Sequence, residues 1–138
     1  RFGKLPFADL LAPAIEIVDV ARPLDDIEQI LAGNLFHAAV VLGPPLAPRP
    51  ALHLLHEIRG GLVLNAEPAG SVNPAGLPDS MGETLLLVAD ILADFGERLC
   101  AGDWLITGSI IKPHPVSAGD MLQLDMGMLG RVSVTLTA

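Results

Sequence analysis

Ala118-Gly119-Asp120-Met121-Leu122-Gln123-Leu124-Asp125-Met126, followed after a short break by Arg131-Val132-Ser133-Val134-Thr135-Leu136-Thr137, is the stretch on which the fold turns. Apolar and polar residues alternate with a period of two, which is the pattern of strands with one buried face. Val132, Val134 and Leu136 share that face. The triplet Ala118-Gly119-Asp120 has an echo in Ala101-Gly102-Asp103, which precedes the alternating run Trp104 to Thr107. Both triplets are expected to be structural turns that aim the chain into a strand, since an acidic residue after glycine is common turn chemistry.

Upstream of this β-rich end lies one clear helix, Ser80 to Phe95. Ser80-Met81-Gly82-Glu83 reads as a capping box, Leu85, Val88, Ala89 and Leu92 make a stripe expected to pack in the core, and Gly96 supplies the stop. Nearer the start, Ala14 to Val20 is β-branched and lies between Pro13 and Pro23, so it reads as a strand. Asp25-Asp26 opens a short helix through Ile27, Ile30 and Leu31 that ends at Gly33. Leu35 to Gly43 is a further strand-like run, and the proline-rich stretch to Pro50 is a loop. Arg59-Gly60-Gly61, flanked by Leu52 to Ile58 and Leu62 to Leu64, carries a hairpin signal. Glu67 to Pro78 is expected to be the longest irregular segment. Strands, one main helix and a strand-rich end give an α+β fold with a largely β core.

The chain has 138 residues, one domain's worth, with 14 glycines and 12 prolines dispersed among short elements. Eight basic residues stand against sixteen acidic ones, a formal charge of −8, which repels nucleic acid and anionic membranes. No apolar run approaches the length of a membrane span, and Arg1 to Leu11 lacks the pattern of a signal peptide. Hydrophobic residues make up 51% and charged residues only 17%, with a mean hydropathy of +0.52, so part of the apolar surface is expected to be covered, most simply by another copy. The single cysteine, Cys100, cannot form an internal disulfide; it is expected to be a buried, inert thiol, and the compartment cytoplasmic.

Few residues announce chemistry by spacing. His53 and His56 fall on opposite faces of a strand, which argues against joint metal ligation. His37 reads as a satisfied core histidine, and His114, between Pro113 and Pro115, sits on a turn where a packing role is the commoner one. Glu16 stands out because a carboxylate within an apolar strand must face solvent or be compensated, for instance by a hard divalent cation. Thr107-Gly108-Ser109 makes a second candidate, a corner able to bind a carboxylate or carbonyl.

The order of these pieces resembles a known family. Leu11-Ala12-Pro13-Ala14-Ile15-Glu16-Ile17-Val18-Asp19, Gly33-Asn34, Val41-Leu42-Gly43, the capped helix, Gly102-Asp103-Trp104-Leu105-Ile106-Thr107-Gly108-Ser109, Ala118-Gly119-Asp120 and Leu129-Gly130-Arg131-Val132-Ser133-Val134 are similar to the C-terminal part of the 2-keto-4-pentenoate hydratases and 4-oxalocrotonate decarboxylases, within the fumarylacetoacetate hydrolase superfamily. The resemblance implies a mixed β-roll of the superfamily's C-terminal-domain type, residues 1–138 forming one such domain without the family's N-terminal part. It implies a divalent metal, Mg²⁺ or Mn²⁺, held by three carboxylates, of which Glu16 matches one, and it places Asn34, Thr107, Gly108 and Ser109 at the substrate. The implied reaction is addition of water to a 2-hydroxy-2,4-dienoate, with the metal chelating the 2-oxo acid and stabilising its enolate character. Decarboxylation, C–C hydrolysis, and a catalytically inactive, oligomerising or regulatory subunit are the alternatives. The family's Glu-x-Glu pair and Gly-x-Lys-x-Gly segment are absent from this chain, Asp79 to Glu83 replaces its His-Pro-Leu-Asn-Ala stretch, and Asn65 to Pro68 replaces a Ser-Gly segment. A homo-oligomer or a complementing chain would then supply what is missing.

Overall fold

In the computed structural model, the residues described are 10–20, 26–46 and 57–138. Six strands and two helices follow in the order β1 (Ala14–Val18), α1 (Ile27–Ala32), β2 (His37–Leu42), β3 (Gly61–Leu64), β4 (Glu67–Ser71), α2 (Met81–Asp94), β5 (Met121–Asp125) and β6 (Arg131–Thr135). The fold is α+β with one main helix, as the sequence implies. All strand pairs are antiparallel: β1 and β2 form one sheet, and β4-β3-β5-β6 form another.

The alternating run at the end of the chain builds β5, inside the larger sheet, and β6, next to it. Leu62 of β3, Leu124 of β5 and Val132 of β6 lie in register, and all three are buried. Ile15, Ile58, Val72, Leu122, Met126 and Leu129 complete the core. Ile15 brings the smaller sheet to the larger one, and Gly43 fixes the approach. A Cβ there would stand 2.8 Å from the Arg131 carbonyl oxygen and 2.7 Å from Pro13 Cγ, too close for any larger residue without movement.

The hairpin falls elsewhere than the glycine pair suggests. Gly60-Gly61 leads into β3, and the tight turn is Leu64-Asn65-Ala66-Glu67, where Asn65 and Ala66 both have positive φ (52° and 68°). That is the signature of a type I′ turn, which matches the twist of paired strands. Asparagine carries the signal there, with alanine where glycine is usual. The turn also makes part of the expected irregular segment into strand β4. Pro68 is tolerated because β4 is an edge strand among the described residues.

The helix boundaries follow their caps. Asp26 accepts from the N–H groups of Glu28 and Gln29 at the start of α1, and Ser80 Oγ accepts from Glu83 N–H at the start of α2. At the other end of α2, Gly96 N–H donates to the Ala93 carbonyl and Glu97 N–H to the Leu92 carbonyl, with Gly96 at φ 76°, a Schellman ending. Packing is where α2 departs from expectation. None of its residues is buried; Leu85, Val88, Ala89 and Leu92 are only half-buried, while Leu87, Ile91 and Phe95 stand exposed. The stripe is amphipathic, but the described residues cover it incompletely.

The Ala-Gly-Asp echo is one turn built twice. Asp103 Oδ2 accepts from Cys100 N–H and Asp120 Oδ2 from Ser117 N–H, each at 2.7 Å, and Gly102 and Gly119 sit at φ 99° and 96°. Their outcomes differ. Asp120 delivers the chain into β5, whereas Trp104 to Thr107 pairs with no strand among the described residues. Cys100 is exposed, contrary to expectation, because it opens this surface turn after the end of α2.

Candidate functional site

Glu16 lies on β1, facing Val40 of β2 in the antiparallel register. The next pair is Ile17 with Ala39, and the register then slips, so that Val18 faces His37 and Ala38 is left over. Opposed residues share a face and alternate residues return to it. Without the bulge, Ala38 would stand on the Glu16 face; with it, His37 does. Re-aiming a side chain is a recurrent use of a β-bulge. The result is a direct contact, with Glu16 Oε1 and His37 Nδ1 2.8 Å apart. An ionised carboxylate only accepts, so Nδ1 carries the proton in this bond. The side chains are 38% and 30% exposed. His37 is thus a partner for Glu16 instead of a core histidine, and the signal that would have found it is the bulge, which spacing alone does not reveal.

The segment leading into His37 is strained. Asn34, Leu35 and Phe36 have φ of 51°, 55° and 62°, three consecutive residues in the left-handed region. For Leu35 and Phe36 this costs about 1–2 kcal/mol each, whereas asparagine tolerates the conformation better. Phe36 N–H donates to the Gly33 carbonyl and Asp19 N–H to the Phe36 carbonyl, so the turn is tied back to the end of β1. Asn34 lies in this turn with its side chain exposed, three residues before His37.

Thr107-Gly108-Ser109 belongs to another part of the chain. Gly108 sits at φ 99°, and Ser109 Oγ donates to the Ile111 carbonyl. The segment then leans on the turn before α2, where Asn73 N–H donates to the Ile110 carbonyl at 3.2 Å. With the Ser109 proton committed, the Thr107 hydroxyl and the backbone N–H groups are the donors available to an anionic group. His114 is half-buried against Gly70 of β4, where a packing role suffices. His53 and His56 lie outside the described residues.

Glu16 and His37 are the only pair of the candidates joined by a hydrogen bond among the described residues. No group of three or more His, Cys, Asp or Glu side chains among them is disposed to hold a metal ion. A hard cation takes six or more oxygen ligands, and one carboxylate shared with an imidazole does not meet that demand. The described residues therefore do not fit a self-sufficient divalent-metal centre. Two carboxylates held low by their hydrogen bonds lie elsewhere, in turns. The Asn65 amide and then the Ser117 N–H hold Asp120 below the usual range, and the Gly127 N–H and then Arg131 do the same for Asp125.

The architecture is similar to that of about half of 4-oxalocrotonate decarboxylase from Pseudomonas putida G7. Its structures complexed with calcium and acetate and with magnesium and adipate superpose on 93% of this chain with TM-scores of 0.79 and 0.80, at 23% sequence identity, and the match covers 48% and 49% of those chains. In sequence, the chain is 27% identical over 140 residues to 2-hydroxyhexa-2,4-dienoate hydratase of Comamonas testosteroni, covering 99% of this chain and 52% of that protein. The resemblance to the hydratases and decarboxylases that the sequence carries is borne out by both. No family model matches the chain. It spans about half the length of the relatives it matches. Among the described residues, no helix is long and apolar enough to cross a membrane.

Proposed function

We propose that the chain is a hydratase-like domain that contributes to the addition of water to a 2-hydroxy-2,4-dienoate of the 2-keto-4-pentenoate type, giving a 4-hydroxy-2-oxo acid in aromatic-compound degradation. The observation that carries this reading is the likeness to a dienoate hydratase along 99% of the chain. On this reading residues 1–138 are one domain of the fumarylacetoacetate hydrolase β-roll type, equivalent to the later part of the family pattern and working in the cytoplasm.

Glu16 is one donor to a divalent cation, Mg²⁺ or Mn²⁺, whose other ligands come from outside the described residues. The calcium and magnesium bound in the decarboxylase structures support a divalent metal. His37 holds the Glu16 carboxylate by its Nδ1 proton and leaves Oε2 free. Asn34, three residues before His37 in the chain, offers an amide to the substrate, and Thr107, Gly108 and Ser109 offer donors for the substrate carboxylate. Water is added only when these groups and the remaining ligands share one site, whether those ligands come from a longer form of the same polypeptide, a homo-oligomer or a complementing chain.

Calorimetric titration of Mg²⁺ into the active form tests the reading, alongside formation of 4-hydroxy-2-oxo acid from 2-hydroxypenta-2,4-dienoate. Glu16→Gln is expected to weaken Mg²⁺ binding at least tenfold and to abolish turnover. An unchanged Mg²⁺ affinity sinks the role of Glu16. Metal binding without any turnover favours a second reading, a non-catalytic oligomerising subunit, for which the exposed Leu87 and Ile91 of α2 and Phe95 at its end speak.

A further inference from the structure

Helix α2 leaves an apolar row uncovered and sets an acidic row beside it. Leu87, Ile91 and, just past the helix, Phe95 follow one another at four-residue steps and are 60%, 50% and 80% exposed. At 3.6 residues per turn they form one strip, bordered on one side by the half-buried face of the helix. Glu83, Asp90 and Asp94 form a second strip along the other border, and all three are exposed. Met81–Asp94 contains no lysine, arginine or histidine.

The acidic row is poorly placed for the helix itself. Asp90 and Asp94 stand four residues apart, where like charges repel, and both lie toward the C-terminal end, where the macrodipole favours cations. Glu83, in the first turn, is the one well placed. Among the described residues, no ion pair and no side-chain hydrogen bond reaches any of the three carboxylates.

We propose that this face of α2 docks a basic amphipathic helix of a separate partner protein, its apolar stripe on Leu87, Ile91 and Phe95 and its lysines or arginines along Glu83, Asp90 and Asp94. Charge complementarity selects the occupant, since cations beside Asp90 and Asp94 relieve both their mutual repulsion and their clash with the helix dipole. A helix is the fitting form. The backbone of α2 is hydrogen-bonded within itself, so recognition falls to side chains, and rows at four-residue spacing fit between the rows of another helix. The strip from Leu87 to Phe95 runs about 12 Å, roughly two turns of such a helix. A second copy is the weaker occupant, because it would set one acidic row near another, between chains that each carry a formal charge of −8. An anionic membrane is repelled for the same reason. The inference goes beyond the proposed reaction and does not require Glu16 to bind metal.

The probe is a synthetic helical peptide with a leucine stripe at three- and four-residue spacing and lysines on both borders, titrated into this chain by calorimetry. One control peptide has the same composition with the stripe scrambled, and another has glutamate in place of each lysine. The lysine peptide is expected to bind one-to-one, at least tenfold tighter than either control, and to slow amide exchange within residues 81–94. Ile91→Gln, and separately Asp90→Asn combined with Asp94→Asn, are each expected to weaken it at least tenfold. Both variants change exposed positions and should leave amide protection in β5 and β6 unchanged, which separates loss of binding from loss of fold. No binding of the lysine peptide overturns the proposal, as does binding that neither variant weakens or that leaves exchange in α2 unaltered. Equal binding of the scrambled peptide also overturns it, by reducing the effect to net charge. Dimerisation of the chain alone that Ile91→Gln abolishes overturns it in favour of a second copy. Binding to vesicles of phosphatidylcholine and phosphatidylglycerol that Ile91→Gln abolishes overturns it in favour of a membrane.

Discussion

The side chains of Glu16 on β1 and His37 on β2 meet at 2.8 Å on one face of the sheet because the chain takes one residue more on β2 than on β1. The contact is a product of register, and its strength is that of a partly exposed pair. A double-mutant cycle over Glu16→Gln and His37→Ala, read by urea unfolding, is expected to give a coupling of about 0.2–1 kcal/mol. A coupling of zero would mean that the bulge does not hold the two side chains together in solution.

The β3–β4 turn makes a sharper prediction. Ala66 sits at φ 68°, where a Cβ is costly and glycine is not. Asn-Gly is the favoured pair for a type I′ turn. Ala66→Gly is therefore expected to stabilise the protein, by about 0.5 kcal/mol after the extra backbone entropy of glycine is offset. A lower urea midpoint for this variant would contradict the turn assignment.

The two caps of α2 predict local effects. The helix reaches the core cluster through Met81 near its start, and its other apolar residues lie outside that cluster, so α2 depends on its ends more than a packed helix does. Ser80→Ala removes the acceptor for Glu83 N–H and is expected to cost about 1 kcal/mol. Gly96→Ala forces a side chain into φ 76° and is expected to cost about the same. Hydrogen exchange should show faster opening in residues 81–94 and unchanged protection in β5, where the loss does not propagate.

How much could be read beforehand divides along physical lines. Strands β1, β5 and β6 and both helices were legible because their signals are local: alternation, a capping serine, a terminal glycine. The Asn65-Ala66 turn was not, because two glycines nearby carry the stronger turn signal and the left-handed conformation of Ala66 is imposed by pairing. Glu16 was legible as a carboxylate in an apolar strand. His37 was not legible as its partner, since a bulge is a relation between two strands. The expectation of a paired strand at Trp104–Thr107 and a buried Leu stripe on α2 followed from sequence pattern, and pattern records what a segment can bury without showing what buries it.

The acid limb of stability supplies the last test. Asp120 is held below the usual carboxylate range chiefly by the Asn65 amide, and Asp125 chiefly by the Gly127 N–H. Their folded forms therefore release protons more readily than the unfolded chain, whose aspartates titrate near 3.9. Where the unfolded state binds more protons, stability rises with pH. The contribution of both groups is thus fully present above the unfolded value and lost as pH falls below about 4 through the folded values. In the double variant Asp120→Asn, Asp125→Asn these titrations are gone, so its unfolding free energy should fall short of wild type at pH 7 and converge on it toward pH 3. Urea unfolding at a series of pH values measures the difference directly, and parallel curves for the two proteins would show that the turn carboxylates carry no such linkage.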